Sequence, residues 1–382
     1  MAAHALESPS PLTDRDRLRA AIDAGPFDAV IVSSQENTFY ATGALLLTQR
    51  EIPLRLALTL WPRGGEPAFV VCGIEESLVR RQSWIGDVRP YVEFAESPVA
   101  MIAAAVRERG LERGQIGVEK DHLMARYWDE LRAALPEATF GDAGPLLAAV
   151  RVVKTPGEVE RLQTAARALE RAISHAYTTA RPGCTEKWLA DTMATALLAE
   201  GADEVKAIVL SSGPRSVQSH ATPDGTRPIA LGATIRVDFV GVFGGYLADL
   251  ARMACIGEPN ATQRGYYDGL RAIEWTMIDA CRPGITAAEV YAVGKAAYAR
   301  ALGIDTYKPH FGHSLGIGLH EEPLIHPTNR TMLEPGMVLC IEPTHVDPAI
   351  GGFHIEDTIV VTDGAPRLLS DAAPTERMVT IA

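Results

Sequence analysis

The chain has 382 residues, 47% of them hydrophobic and 22% charged, and a formal net charge of −12. Such a length can bury two cores, and the negative balance argues against nucleic acid or an anionic membrane as partner, since both demand clustered Lys and Arg. The first arginine is Arg15 with no long apolar run after it, and Cys72, Cys184, Cys255, Cys281 and Cys340 lack metal-ligand spacing; the expectation is a cytoplasmic protein with reduced thiols, no secretory leader and no membrane span.

Residues 1–12 are small, polar and Pro-containing and should form a disordered leader. A first helix is expected from Thr13, with Asp16 three residues on as a capping acid. Strands over 29–33, 54–61, 68–71 and 116–119 then alternate with helices after Pro98 and over 121–135, which predicts an α/β domain over 13–150. Thr155-Pro156-Gly157-Glu158 supplies an N-cap, a first-turn proline and a reciprocal acid for a long helix to about Ala180. A second domain, 151–382, is therefore expected to begin just before it.

That second domain contains an internal repeat. Arg181-Pro182-Gly183 recurs as Arg282-Pro283-Gly284, and Thr286 with Glu289 forms another capping box. Walking forward from both copies, His220 corresponds to His320, Asp238 to Glu342 and Asp249 to Glu356. A duplicated helix-helix-hairpin unit predicts an α+β domain with a pseudo-two-fold axis and both hairpins around one centre. Asp238 ends the β-patterned run Thr234 to Val237, Gly244 and Gly245 mark a turn, and Asp249 lies in the next polar/apolar stretch. A turn about Phe243 and Gly244 would place the two acids directly opposite one another on one face. Met337 to Glu342 and Phe353 to Val360 repeat the device. Four acids bounded by Ile, Val, Leu and Phe could not all remain ionised at close quarters without cations. With His313 they make a mainly hard, oxygen-rich donor set that favours Mn, with Co, Fe or Zn also compatible.

The blocks Gly245-Tyr246-Leu247-Ala248-Asp249, Gly312-His313-Ser314-Leu315-Gly316, Glu334-Pro335-Gly336-Met337 through Ile341-Glu342-Pro343, and Ile355-Glu356-Asp357-Thr358 resemble the signatures of the pita-bread metallopeptidases. That group comprises prolidase, aminopeptidase P, methionine aminopeptidase and the related creatinase. Asn37-Thr38-Phe39-Tyr40-Ala41-Thr42-Gly43 is similar to a segment of the amino-terminal domain found in the creatinase, prolidase and aminopeptidase P branch.

The resemblance implies a creatinase-like amino-terminal domain, a pita-bread catalytic domain and a homodimer. It also implies two divalent metal ions, with Asp249 and Glu356 bridging both, Asp238 completing one and His313 with Glu342 completing the other. Hydroxide generated between them would attack the amide bond before proline in a short peptide, with Glu342 as general base. His320 is expected to stabilise the oxyanion, and His220 to bind the substrate backbone or assist the leaving nitrogen. His310, three residues before His313, is a further candidate for substrate contact.

Gly312-His313-Ser314-Leu315-Gly316 also matches a serine-hydrolase elbow, but Pro309 and Lys308 stand where its strand should be. A non-catalytic pita-bread module is a further alternative, and retention of all five candidate ligands argues against it. Four positions depart from the family pattern: Val240 for Gly, Ala251 for Thr, Thr344 for Gly and His354 for Arg. His354 removes a guanidinium that could clamp a substrate carboxylate, so Xaa-Pro-Yaa tripeptides should be cleaved at least comparably to dipeptides. Non-peptide amides, such as those of ectoine hydrolase or creatinase, stay open as substrates.

Overall fold

The computed structural model describes residues 12–52, 54–306 and 308–382. Of the leader, all but Leu12 lies outside the described residues. The chain divides into two compact units, the first ending at Arg151 and the second running from Val152 to Ala382.

The first unit contains α1 (Arg15–Ala24), β1 (Ala29–Val32), α2 (Gln35–Thr42), α3 (Leu47–Glu51), β2 (Leu58–Pro62), β3 (Ala68–Cys72), α4 (Glu76–Gln82) and β4 (Asp87–Tyr91). It continues with α5 (Pro98–Glu108), β5 (Gln115–Val118), α6 (Ala125–Ala134), β6 (Thr139–Asp142) and α7 (Gly144–Val152). The six strands form one sheet in the order β4-β3-β2-β1-β5-β6, antiparallel at β1/β2 and β2/β3 and parallel elsewhere. Alternation along β3 sends Val70 to a core with Ile102, Val106 and Leu131 of α5 and α6, and Phe69 and Val71 to a second core with Val79 and Ile85.

Three expected boundaries move, one of them the helix expected from 121, which starts at Ala125. The first helix is capped by Asp14, whose carboxylate accepts from Arg17 N, because that acid sits one position nearer the first turn than Thr13. Residues 54–57 are not part of β2, which begins at Leu58. The Asn37 to Gly43 segment is helical. Ser34 caps α2, and buried Glu119 accepts from Ser34 N at 2.9 Å and Asn37 Nδ2 at 2.6 Å, fixing the end of β1 to the end of β5.

The second unit is built from α8 (Pro156–Thr179), α9 (Glu186–Ala199), β7 (Glu204–Ser212), β8 (Thr234–Phe243), β9 (Tyr246–Ile256), α10 (Ala261–Ala280) and α11 (Ala287–Leu302). After these come β10 (Gly312–Ser314), β11 (Val338–Ile341), β12 (Thr344–Asp347), β13 (Gly351–His354), β14 (Asp357–Val360), β15 (Arg367–Leu368) and β16 (Val379–Ile381). Capping boxes open α8 at Thr155 and Glu158 and α11 at Thr286 and Glu289.

The duplication is visible in the packing. One sheet runs β16-β9-β8-β7 and the other β10-β11-β14-β15. Leu169, Ile173, Leu189 and Met193 of α8 and α9 pack on Val237, Phe239 and Leu250, while Leu270, Ile273, Val290 and Tyr298 of α10 and α11 pack on Leu339, Ile341 and Ile359. Even the isolated bridges recur, Thr185 with Pro228 and Thr286 with Met332. The unit is thus a helix pair over a hairpin, twice, in pita-bread α+β architecture.

Candidate metal centre

Asp238 lies on β8, Asp249 on β9 and His313 on β10, while Glu342 directly follows β11 and Glu356 directly precedes β14. The first hairpin turns at Gly244 and Gly245, with φ of 58° and 83°. A two-residue turn with left-handed φ at both central positions suits glycine alone among residues with no strain, and it pairs Phe243 with Tyr246. Asp238 consequently pairs with Ala251, and Asp249 with Val240. The acids are diagonal neighbours on one face, not direct partners as the sequence suggested.

In the second hairpin Ile341 pairs with Asp357, and Thr344 with His354, so one register runs across an interruption at Glu342-Pro343 and Ile355-Glu356. Inside the gap Ile355 N still reaches Pro343 O across the hairpin at 3.5 Å, but the amides of the two acids are used sideways. Glu342 N donates to Phe311 O at 3.0 Å, and Glu356 N donates to Ala251 O at 3.1 Å. The second bond ties the hairpins together at the residue that faces Asp238. Gly312 lets β10 approach β11, since a Cβ there would lie 2.0 Å from Cys340 O.

The side chains converge. His313 Nε2 is 3.9 Å from Asp249 Oδ2 and 3.8 Å from Glu342 Oε1. Three groups have ligand atoms within 4.8 Å of one another: Asp238, Asp249 and Glu356; Glu342, His354 and Glu356; and His313, Cys340 and Glu356. Glu356 is common to all three. Burial, reinforced by neighbouring acids, raises the carboxyls of Asp249 and Glu356 well above their ordinary range. Burial also pushes Glu342 up, but His310, His354 and His313 outweigh it and hold that carboxyl low.

Asp249 Oδ1, Glu342 Oε1 and Glu356 Oε1 are buried without a hydrogen-bond partner among the described residues. Each such orphan costs about 1–3 kcal/mol, and a divalent cation supplies the missing partner, so the residues present fit the metal their chemistry suggests. Ala251 brings no hydroxyl to Asp249 Oδ1, and Thr358 Oγ1 donates to the Asp249 backbone carbonyl at 3.3 Å, not to its carboxylate.

His313 Nδ1 lies 3.1 Å from Ser314 O, an acceptor, so its proton belongs on Nδ1 and the Nε2 lone pair faces the acids. Burial pushes this imidazole down to about 4, which keeps it neutral. His320 is exposed and stacks on it with ring centroids 3.9 Å apart. His310 Nδ1 is 3.3 Å from Glu342 Oε1.

His220 stands apart. It is exposed in the turn after Gly213–Val217 and makes no hydrogen bond, ion pair or ring contact among the described residues. His354, expected at the substrate, is instead 2% exposed and 3.3 Å from Glu342, with Arg236 Nη2 3.1 Å from its other ring nitrogen. Arg236 was not singled out from the sequence. The available signal was strand period, since it lies two residues before Asp238 and shares its face.

Ser314 is wholly buried, its Oγ accepting from Lys154 Nζ at 2.9 Å, and Lys154 in turn donates to Glu321 at 3.1 Å. No histidine reaches that hydroxyl among the described residues, and Lys154 meets it as an ammonium donor held by Glu321, so it lacks the base a nucleophile requires.

A second buried ionic group braces the site. Arg252 donates to Glu356 O at 2.5 Å, to Glu170 at 2.6 Å and to Asp357 at 2.7 Å, and Arg271 pairs with Asp357 at 2.9 Å and with Glu274. Glu170 on α8 and Glu274 on α10 are the carboxylates that the long helices of the two halves add to this group.

A duplicated helix-pair-and-hairpin unit that presents buried acids and one metal-facing imidazole to a common centre defines a metal-dependent hydrolase of the pita-bread class. The chain belongs to metallopeptidase family M24, whose pattern matches residues 160–363, and the pattern of the Creatinase/Prolidase N-terminal domain matches residues 15–153. It is 36% identical over 360 residues to "Probable dipeptidase PepE" of Mycobacterium tuberculosis, covering 91% of this chain and 90% of that one. It is 29% identical over 354 residues to the "Xaa-Pro dipeptidase" of Lactobacillus helveticus, covering 91% and 94%. Among solved structures, dipeptidase PepE from Mycobacterium ulcerans superposes with a TM-score of 0.84 at 28% identity, covering 96% of each chain. Membership of this family implies divalent metal ions and a peptide substrate.

Proposed function

We propose that this protein is a metallo-exopeptidase that hydrolyses the amide bond preceding proline in short peptides. Asp249 and Glu356 would be shared by two cations, Asp238 would complete one site, and His313 with Glu342 the other. The observation that supports this most is the place of Glu356 in every ligand group, with one carboxylate oxygen buried and unpartnered. Hard oxygen donors favour Mn, and His313 keeps Co, Fe and Zn compatible. When bound, the cations supply Lewis-acid polarisation and a water acidic enough to attack near neutral pH.

The chain's own groups then have separate tasks. Glu342, kept ionised by its histidines, accepts the proton of the attacking water on its carboxylate. His320, on the solvent side of His313, donates an N–H to the developing oxyanion. His220 meets the substrate backbone or the leaving nitrogen from its exposed turn, and His310 orients Glu342 beside it.

Arg236, the guanidinium nearest His354, is already engaged with Ser219 O and the imidazole. It is not free to clamp a carboxylate, which supports comparable cleavage of Xaa-Pro-Yaa and Xaa-Pro. Residues 13–150 and 151–382 serve as the amino-terminal and catalytic domains. A homodimer in the cytoplasm completes the reading, supported by five free cysteines and the acidic chain. Light scattering tests the dimer.

A metal-reconstituted screen of Xaa-Pro dipeptides, Xaa-Pro-Yaa tripeptides and small cyclic and guanidino amides tests the substrate. Release of the residue before proline is expected. Opening of a cyclic or guanidino amide with no action on any Xaa-Pro peptide would overturn the specificity and favour a non-peptide amide.

A further inference from the structure

His354 is a sixth side chain inside the cage, and by distance alone it qualifies as a ligand with Glu342 and Glu356. We infer that it is not one: Arg236 and His354 act as a unit in which the guanidinium fixes the imidazole as its Nε2–H tautomer and directs that N–H at Glu342. His354 is then a positioning residue for the proposed base. The inference rests on the two-cation reading above.

Arg236 is 6% exposed, its Nη1 donates to Ser219 O, and its Nη2 is 3.1 Å from His354 Nδ1. A guanidinium has no lone pair to offer, so Nδ1 must be the acceptor. Among the described residues the one competing group at Nδ1, Asp238 Oδ2, is 3.8 Å away and beyond hydrogen-bond range.

A neutral ring that accepts at Nδ1 carries its proton on Nε2. That nitrogen is 3.3 Å from Glu342 Oε2 and 3.9 Å from Glu356 Oε2. The approach to Glu342 is within reach but not aligned as a full hydrogen bond, since Nε2 has no aligned partner among the described residues. A nitrogen bearing a proton cannot ligate a cation. His313 is wired the opposite way, with a carbonyl at Nδ1 and a free lone pair at Nε2. The two buried imidazoles of one site are thereby set to opposite tasks by what touches their outer nitrogens.

The test is long-range 15N correlation of the imidazoles in metal-free, His-labelled protein at neutral pH, with His354 assigned by its absence in His354→Gln. The expected ring is the neutral Nε2–H tautomer, lost in Arg236→Met and kept in Arg236→Lys, which still offers a donor. An Nδ1–H tautomer or a doubly protonated ring in the wild type would overturn the inference.

Cobalt loading supplies a second readout. Gln can accept from Arg236 and donate to Glu342, so His354→Gln should keep the wild-type cobalt content and visible spectrum. It should also regain at least about tenfold of the turnover lost in His354→Ala, the scale on which such outer partners act. A lost cobalt or altered spectrum in His354→Gln would make His354 a ligand. Because the tautomer is read without substrate or metal, an expected spectrum in a protein that ignores Xaa-Pro peptides would refute the functional reading alone.

Discussion

From Thr234 to Ile256 the chain makes one unbroken hairpin, whereas from Val338 to Val360 the same hairpin is interrupted at Glu342-Pro343 and Ile355-Glu356. The first hairpin keeps its ladder continuous and presents Asp238 and Asp249 from an unbroken surface. The second, with a proline at the break and thus no amide to pair there, turns Glu342 N toward Phe311 and Glu356 N toward Ala251. Duplication supplies two acids per half, and the break in one half lets the halves be joined at the centre they share.

If the halves contribute equally, removing the shared acid of either should do equal damage. Asp249→Ala and Glu356→Ala are both expected to abolish metal occupancy and activity, by elemental analysis and turnover. Normal metal content in one of them would show that a single hairpin carries the site.

The histidines sharpen the comparison further. His320→Ala should lower turnover about 100-fold or more with metal retained, the usual cost of a lost oxyanion donor. His220→Ala should match it if the repeat extends to function. An unchanged rate in His220→Ala would confine that role to the second half, in keeping with the isolation of His220 among the described residues.

Bracing is unequal too, because buried Asp357 beside Glu356 takes both Arg252 and Arg271, while no such pair flanks Asp249 among the described residues. Asp357→Asn should cost about 3 kcal/mol in urea unfolding, since two guanidiniums lose their shared anion. A loss under about 1 kcal/mol would show that the network only orients the site.

The smallest effect is on pH. Asp249 and Glu356 have carboxyls raised above the ordinary 3.8 and 4.5, so their contribution to stability is whole below those values and is lost as pH rises through the raised ones. The metal-free protein should therefore lose Tm as pH climbs above the ordinary carboxylate range, and bound metal should flatten the trend by holding both acids ionised. A metal-free Tm that rises with pH there would contradict the assignment.

Much of this was legible in the sequence because the signals were local. Thr155 with Glu158 and Thr286 with Glu289 mark helix starts by chemistry confined to four residues. The acids of the cage could be picked out because each ends or follows an apolar run. What escaped depends on register or on distant partners. The Asp238 and Asp249 pairing slipped by one turn position, because only the φ values of Gly244 and Gly245 decide where the chain reverses. The buried Arg252, Glu170, Asp357, Arg271 and Glu274 look like ordinary surface charges until α8, α10, β9 and β14 are packed together. His354 read as a lost arginine, and the guanidinium beside it arrives from β8, 118 residues away in sequence.

The central claim is that hydrolysis at this centre requires cations held by acids from both hairpins. Protein stripped with a chelator should be inactive on Xaa-Pro peptides and regain activity on titration with Mn or Co, reaching its plateau at about two equivalents per chain. Full activity in metal-free protein, abolished by a serine-directed fluorophosphonate, would contradict the account and return Ser314 to the role of nucleophile.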